Sequence, residues 1–125
     1  MMLDTNALSG WAEGDAALLL LLPKDRLWHL PVVVLGEFRF GIQRSREHRK
    51  LEAWLRDVEE ACVVVNIDLG TSIQYAEIRE ELRRAGTPIP ENDIWIAALC
   101  RQHELPIASR DEHLDKVRGL RRLGW

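Results

Sequence analysis

The chain has 125 residues, 46% of them hydrophobic and 30% charged, with 17 Lys+Arg against 20 Asp+Glu and a formal charge of −3. Domains cluster near ~100–150 residues, so this length and balance predict one folded domain over residues 1–125 and exclude both intrinsic disorder and two compact domains. Taken alone, the negative charge argues mildly against a nucleic-acid partner held by sheer positive charge.

In chain order, residues 1–4 read as a short strand ending at Asp4. Residues 6–11 and 15–22 read as two helical pieces, interrupted near Gly14 and closed by Pro23. Residues 27–30 can form a second strand. Pro31 suits the first position of the next helix, on which Val33, Glu37 and Phe40 share one face. Residues 45–60 form the clearest amphipathic helix, with Leu51, Trp54, Leu55 and Val58 as its apolar stripe.

Residues 61–67 are a continuous β-branched run, expected as a strand covered on both faces of a parallel sheet. Asp68 or Thr71 can cap the following helix, where Tyr75, Ile78 and Leu82 repeat at helical spacing before Gly86 ends it. Residues 87–90 are a stiff loop. Asn92 or Asp93 then begins a helix apolar almost all round, which places it at the centre of the packing. Residues 105–109 are another strand, followed by a short helix from Asp111 and a last strand near residues 120–125. Strands alternating with helices predict an α/β layer fold with a mostly parallel sheet.

The remaining features narrow the setting. The longest apolar run, residues 16–22, is far short of the ~20 residues needed to span a bilayer. The first residues lack the basic region of a signal peptide, so a cytoplasmic protein without a membrane partner is expected. Cys62 and Cys100 sit in apolar segments and read as buried thiols. His29, His48, His103 and His113 show no Cys/His ligand spacing, which argues against zinc.

Most acidic residues fall on polar helical faces, where solvation accounts for them. Four fall where a carboxylate is costly. Asp4 terminates an apolar strand, and Glu37 follows Val32-Val33-Val34-Leu35. Asp93 opens the most apolar helix, and Asp111 comes just after Pro106-Ile107-Ala108-Ser109. In open α/β sheets ligands gather at the carboxyl ends of the strands, where Asp4 and Asp111 both sit. A helix cap is the alternative for Asp93, and an Asx turn for Asp4. If the four converge, they cannot all ionise without a compensating cation. An oxygen-only cluster prefers Mg²⁺ or Mn²⁺, and phosphodiester hydrolysis by an activated water fits such a site.

Leu3-Asp4-Thr5-Asn6-Ala7-Leu8-Ser9, Glu37 with Gly41 four residues on, Ile89-Pro90-Glu91-Asn92-Asp93-Ile94-Trp95-Ile96-Ala97-Ala98 and Ser109-Arg110-Asp111 together resemble a PIN domain. Within that superfamily the sequence is most similar to the VapC-type toxins of toxin–antitoxin pairs. The likeness runs nearly end to end, and the Asn92-Asp93 block is its most specific piece. It implies a three-layer α/β/α sandwich and a Mg²⁺- or Mn²⁺-dependent endoribonuclease that cuts structured RNA, tRNA or rRNA, to stop translation. By position it implies Asp4, Glu37, Asp93 and Asp111 as catalytic metal ligands, with Asn6 bracing the Asp4 turn and Ser109 orienting a ligand or water. Three departures concern local rigidity and touch no ligand: the first strand is very short, Pro31 stands where Ser often begins the Glu-bearing helix, and Gly36 precedes Glu37.

The resemblance also implies a homodimer and a cognate antitoxin whose C-terminal segment lies in a hydrophobic groove. Five leucines at 18–22 are the candidate surface, with core packing as the alternative, and Trp11 is a candidate for the same groove, with packing again as its alternative. Arg110 and Arg118 are candidate RNA phosphate contacts. Two other readings compete. A haloacid-dehalogenase-like phosphatase also has an Asp after its first strand, but it requires a second Asp where Asn6 stands. A non-catalytic PIN-like RNA-binding or RNA-processing module would be expected to have lost a ligand, and all four acids are present.

Overall fold

Five short strands, all parallel, make one sheet in the order β3-β2-β1-β4-β5. The computed structural model describes residues 1–22 and 24–125. In chain order the elements are β1 (Met2–Leu3), α1 (Thr5–Glu13), α2 (Ala16–Leu21), β2 (His29–Pro31), α3 (Val32–Ile42), α4 (His48–Ala61), β3 (Val63–Val65), α5 (Leu69–Ala85), α6 (Glu91–Gln102), β4 (Ile107–Ala108), a 3₁₀ helix (Glu112–Lys116) and β5 (Arg122–Leu123). The result is the expected α/β/α sandwich. Pro23, expected to close α2, lies outside the described residues. No helix among the described residues is long and apolar enough to cross a membrane.

The first strand is central because it is apolar on both faces. Met2 and Leu3 are fully buried, and β1 pairs with β2 on one side and β4 on the other. Asp4 therefore emerges mid-sheet. The helix breaks fall where local chemistry dictates. Gly14 caps α1 in the left-handed region at φ 73°, and Gly86 does the same for α5 at φ 69°, a conformation that costs glycine nothing. At the start of α5 both candidate caps act together: the Asp68 carboxylate accepts from the Thr71 amide while the Thr71 hydroxyl accepts from the Asp68 amide. The Gln102 amide also donates to Asp68 at 2.8 Å, which ties the start of α5 to the end of α6.

Helix α6 is the apolar centre that its composition predicts. Ile94, Ile96, Ala97, Ala98, Leu99 and Cys100 are all buried, and desolvation pushes the Cys100 thiol well above its ordinary range. Burying each large aliphatic side chain contributes about 1.5–3 kcal/mol. The stripe of α4 also holds, with Leu55 and Val58 buried and Trp54 packed against Trp11 and Phe38.

Three expectations are corrected. Pro31 is the last residue of β2 and precedes α3, because its carbonyl side still pairs with β3 while its ring fixes the entry angle. On α3 the buried face is Val34, Leu35, Phe38 and Ile42; Phe40 is exposed, and Glu37 shares the partly open face. The β-branched run is an edge strand: β3 pairs only with β2, leaving Val63 and Val64 40% and 38% exposed. A run of valines satisfies an edge position as readily as a central one.

Asp68→Ala should destabilise the fold by about 1 kcal/mol, the usual cost of an N-cap, read as a lower midpoint in urea with an unchanged slope. An unchanged midpoint would show that neither the cap nor the Gln102 bond to Asp68 contributes to stability.

Candidate active site

Asp4 leaves the carboxyl end of β1 as the N-cap of α1, so an Asx-type cap and a place in the cleft coexist in one residue. Its Oδ1 accepts from the Thr5 amide at 2.7 Å. Its Oδ2 accepts from the Ser109 hydroxyl at 2.5 Å and from the Asn6 amide at 3.3 Å. Ser109 is fully buried at the end of β4, the strand beside β1. Its hydroxyl in turn accepts from the Asp111 amide at 2.9 Å. Asn6 completes the loop, its carbonyl oxygen accepting from the Arg110 amide at 3.0 Å. Asn6 and Ser109 thus both donate to the Asp4 carboxylate.

Glu37 arrives from α3, the helix that follows β2. Its two oxygens accept from the Thr5 hydroxyl at 2.7 Å and from the Asn92 amide at 2.9 Å. Asp93 is the third residue of α6, whose N-cap is Pro90, so it is not the cap that was its alternative reading. Its position in the first turn still places a carboxylate at the positive end of the helix dipole. Asp111 caps the 3₁₀ helix through the His113 amide at 2.9 Å.

The four acids line one open cleft of about 500 Å³, together with Thr5, Asn6, Ser9, Gly10, Glu13, Asp15 and Arg110. Two of them, Asp4 and Asp93, are held above the usual carboxylate range by burial first and by neighbouring charges second. Burial pushes the Asp4 carboxyl above its usual range, and the charges of Glu37 and Asp111 add to the rise against the hydrogen bonds from Ser109 and Thr5. Asp93 is pushed up to about 7, first by desolvation and then by Asp111 and Asp4. Carboxylates gathered at this cost can hold a cation. Oxygen donors of this kind fit Mg²⁺ or Mn²⁺, and Asp4, Glu37, Asp93 and Asp111 are the residues that would hold it.

The sequence reading missed three contributors. His113, dismissed with the other histidines for lack of Cys/His spacing, stands with Nδ1 3.0 Å from Asp111 and 3.7 Å from Asp93. One donor atom from each of these three lies within 4.8 Å of the others, a possible cation cluster. The Asp-x-His pattern directly after a strand was the available signal. Thr5 and Asn92, which fix Glu37, sit beside ligand positions in the motif blocks. Of the two candidate RNA contacts, Arg110 lines the cleft and Arg118 does not. Arg118 lies instead near Glu81, and its carbonyl accepts from Arg101.

The leucine run divides between both of its readings. Leu18 and Leu22 are core, whereas Leu20 is 88% exposed. Leu19, Leu20 and Leu22 line a second, apolar cleft with Trp11, Ala16, Lys24 and Trp28.

A family model described as PIN domain matches residues 1–120. The chain is 27% identical to the VapC ribonuclease Y4jK of Sinorhizobium fredii, over 96% of this chain and 93% of that protein. It superposes on the crystal structure of VapBC2 from Rickettsia felis bound to a promoter DNA fragment with a TM-score of 0.86, at 21% identity over 99% and 97% of the two chains. It is also similar to VapBC-5 from Mycobacterium tuberculosis, a member of the VapBC family of toxin-antitoxin systems, with a TM-score of 0.75 at 26% identity over 98% and 94%.

Replacing Asp93 by Asn removes a charge from the crowded cleft without changing its shape. In chelator the Asp93→Asn protein should melt above the wild type. Added Mn²⁺ should raise the melting temperature of the wild type, by about 2.7 kcal/mol of stability at a hundredfold excess over Kd, and leave the variant's nearly unchanged. Equal Mn²⁺ shifts in both proteins would remove Asp93 from the cation site.

Proposed function

The chain belongs to the PIN-domain family and is of VapC type, and from that premise we propose that it is a metal-dependent endoribonuclease, the toxin of a toxin–antitoxin pair. The observation that carries this reading is the convergence of Asp4, Glu37, Asp93 and Asp111 on one cleft at the carboxyl edge of a parallel sheet. Its substrate class is structured RNA, tRNA or rRNA, whose cleavage halts translation. The working unit is the single domain of residues 1–125, as a cytoplasmic homodimer.

The residues divide the work. Asp4, Glu37, Asp93 and Asp111 hold Mg²⁺ or Mn²⁺, which when bound supplies charge neutralisation at the phosphate and lowers the pKa of water. Ser109 and Asn6 fix the Asp4 carboxylate, so its orientation costs no reorganisation during turnover. Thr5 and Asn92 do the same for Glu37. A scissile phosphate entering the cleft meets a floor that rejects it while the carboxylates are bare and accepts it once they are neutralised, which makes substrate binding itself cation-dependent.

The partner is an antitoxin whose apolar segment occupies the cleft of Trp11, Leu19, Leu20 and Trp28. An exposed apolar patch of this kind marks an interaction site. The similar solved structures include VapBC assemblies, which supports a protein partner of this class.

Purified protein should cut RNA with Mg²⁺ or Mn²⁺, stop in chelator, and lose activity to background as Asp93→Asn while retaining its circular dichroism. Mapping new RNA ends after induction of wild type and variant in cells tests this, and normal cutting by Asp93→Asn would refute the metal assignment. Leu20→Asp should leave cutting intact while the co-expressed antitoxin, encoded beside the gene, no longer rescues growth. Full rescue would move the antitoxin elsewhere.

A further inference from the structure

Arg110 is the one cation among the residues that line the acidic cleft, and it is unusually fixed for a half-exposed side chain. Its backbone amide is held by Asn6, the residue that also holds Asp4. Its guanidinium stacks on the Trp125 ring at 4.7 Å, donates through Nε to the Trp125 carbonyl at 3.3 Å, and donates through Nη2 to Asp15 Oδ2 at 3.0 Å. The Trp125 indole N–H donates to that same Asp15 oxygen at 3.1 Å. Asp15 is itself anchored, since its other oxygen accepts from the Ala17 and Leu18 amides. Two residues from distant places in the chain, Trp125 and Asp15, therefore lock one guanidinium plane, while Asn6 holds the backbone beneath it.

The lock leaves specific donors available. A guanidinium carries five N–H groups, and this one spends Nε and one hydrogen of Nη2 on its clamp. Both hydrogens of Nη1 and the second of Nη2 meet no acceptor among the described residues. That free edge has the planar, two-donor geometry that matches two oxygens of a phosphate. A long side chain normally loses rotamer freedom when it binds, and here that cost is met in the folded chain. Stacking on an indole also adds a cation–π attraction that persists when Nη1 is engaged.

We infer that Arg110 anchors a backbone phosphate of the RNA next to the scissile one, and that Trp125 and Asp15 are positioning residues that preset its plane. This rests on the ribonuclease reading above. Nothing in the clamp touches the reacting atoms, so it acts on substrate binding and on the register of the strand across the four carboxylates.

The test measures binding of fluorescein-labelled bulk tRNA across a salt series, with cleavage silenced by Ca²⁺ in place of Mn²⁺ so that all four carboxylates and their cation are kept. Under those conditions Arg110→Ala should weaken binding about tenfold and reduce the slope of log K against log salt by about one. Trp125→Ala should weaken it by a similar factor, and the Arg110→Ala/Trp125→Ala pair should lose no more than either alone. Trp125→Phe, which keeps a ring under the guanidinium and loses only the indole N–H, should fall between. In the cleaving protein Trp125→Ala should raise KM with kcat little changed.

Losses that multiply in the double variant, or tRNA binding by Trp125→Ala equal to its parent's, would overturn the clamp, as would a parent that binds no tRNA. A purely structural Trp125 would lower the melting temperature and affect binding equally with or without Arg110. Failure of the ribonuclease reading is distinct: the wild type would cut no RNA in Mn²⁺. Failure of the clamp alone leaves wild-type cutting intact and removes only the coupling between Trp125 and Arg110.

Discussion

Everything about the cleft depends on one buried carboxylate held by neutral donors. Asp4 is only 5% exposed, and burial pushes its carboxyl above the usual range. The Thr5 amide, the Ser109 hydroxyl and the Asn6 amide supply the opposing pull. Thr5 and Asn6 open α1 just after β1 and Ser109 follows β4, so the same bonds that orient Asp4 also tie together the carboxyl ends of β1 and β4. Around this fixed point, Glu37, Asp93 and Asp111 are brought in from three other elements. Their repulsion is tolerated because each carries its own local anchor: Thr5 and Asn92 for Glu37, the first turn of α6 for Asp93, the His113 amide for Asp111.

The parts of this arrangement that the sequence disclosed are those decided within a few residues. Gly14 and Gly86 end helices because the left-handed turn is a local requirement, and Asp68 with Thr71 forms a cap across three positions. The misplaced acids were legible for a related reason: a carboxylate beside an apolar strand or on an apolar helix is locally anomalous wherever its partners lie. What stayed hidden was settled at long range. The valine run from 63 to 65 carries no mark of being an edge, because that depends on which strand fails to pair with it. The buried face of α3 was misjudged by one helical step, since Phe38 rather than Phe40 finds Trp54. Thr5, Asn92 and His113 are unremarkable polar residues until the fold sets them against Glu37, Asp93 and Asp111.

The opening charge count changes meaning in this light. A formal −3 describes an average over the surface, and the molecule is far from uniform. Four of the acids are concentrated where a divalent cation would neutralise them, and without them the remaining charges are close to balanced. Arg39, bound to Glu52 and Glu59, and Arg101, bound to Glu81, show that much of the basic complement is likewise spent internally. Net charge is therefore a poor guide to the sign of the field at the cleft, which is set by position.

The bond between Ser109 and Asp4 spans 105 residues of sequence. β1 therefore gains its β4 neighbour only once the chain between them has been made. Until then Asp4 lacks both Ser109 and the Asp111 segment. The cleft is thus a late product of folding: a fragment that stops short of β4 holds Asp4 and Glu37 but has neither the strand nor the hydroxyl that orients Asp4.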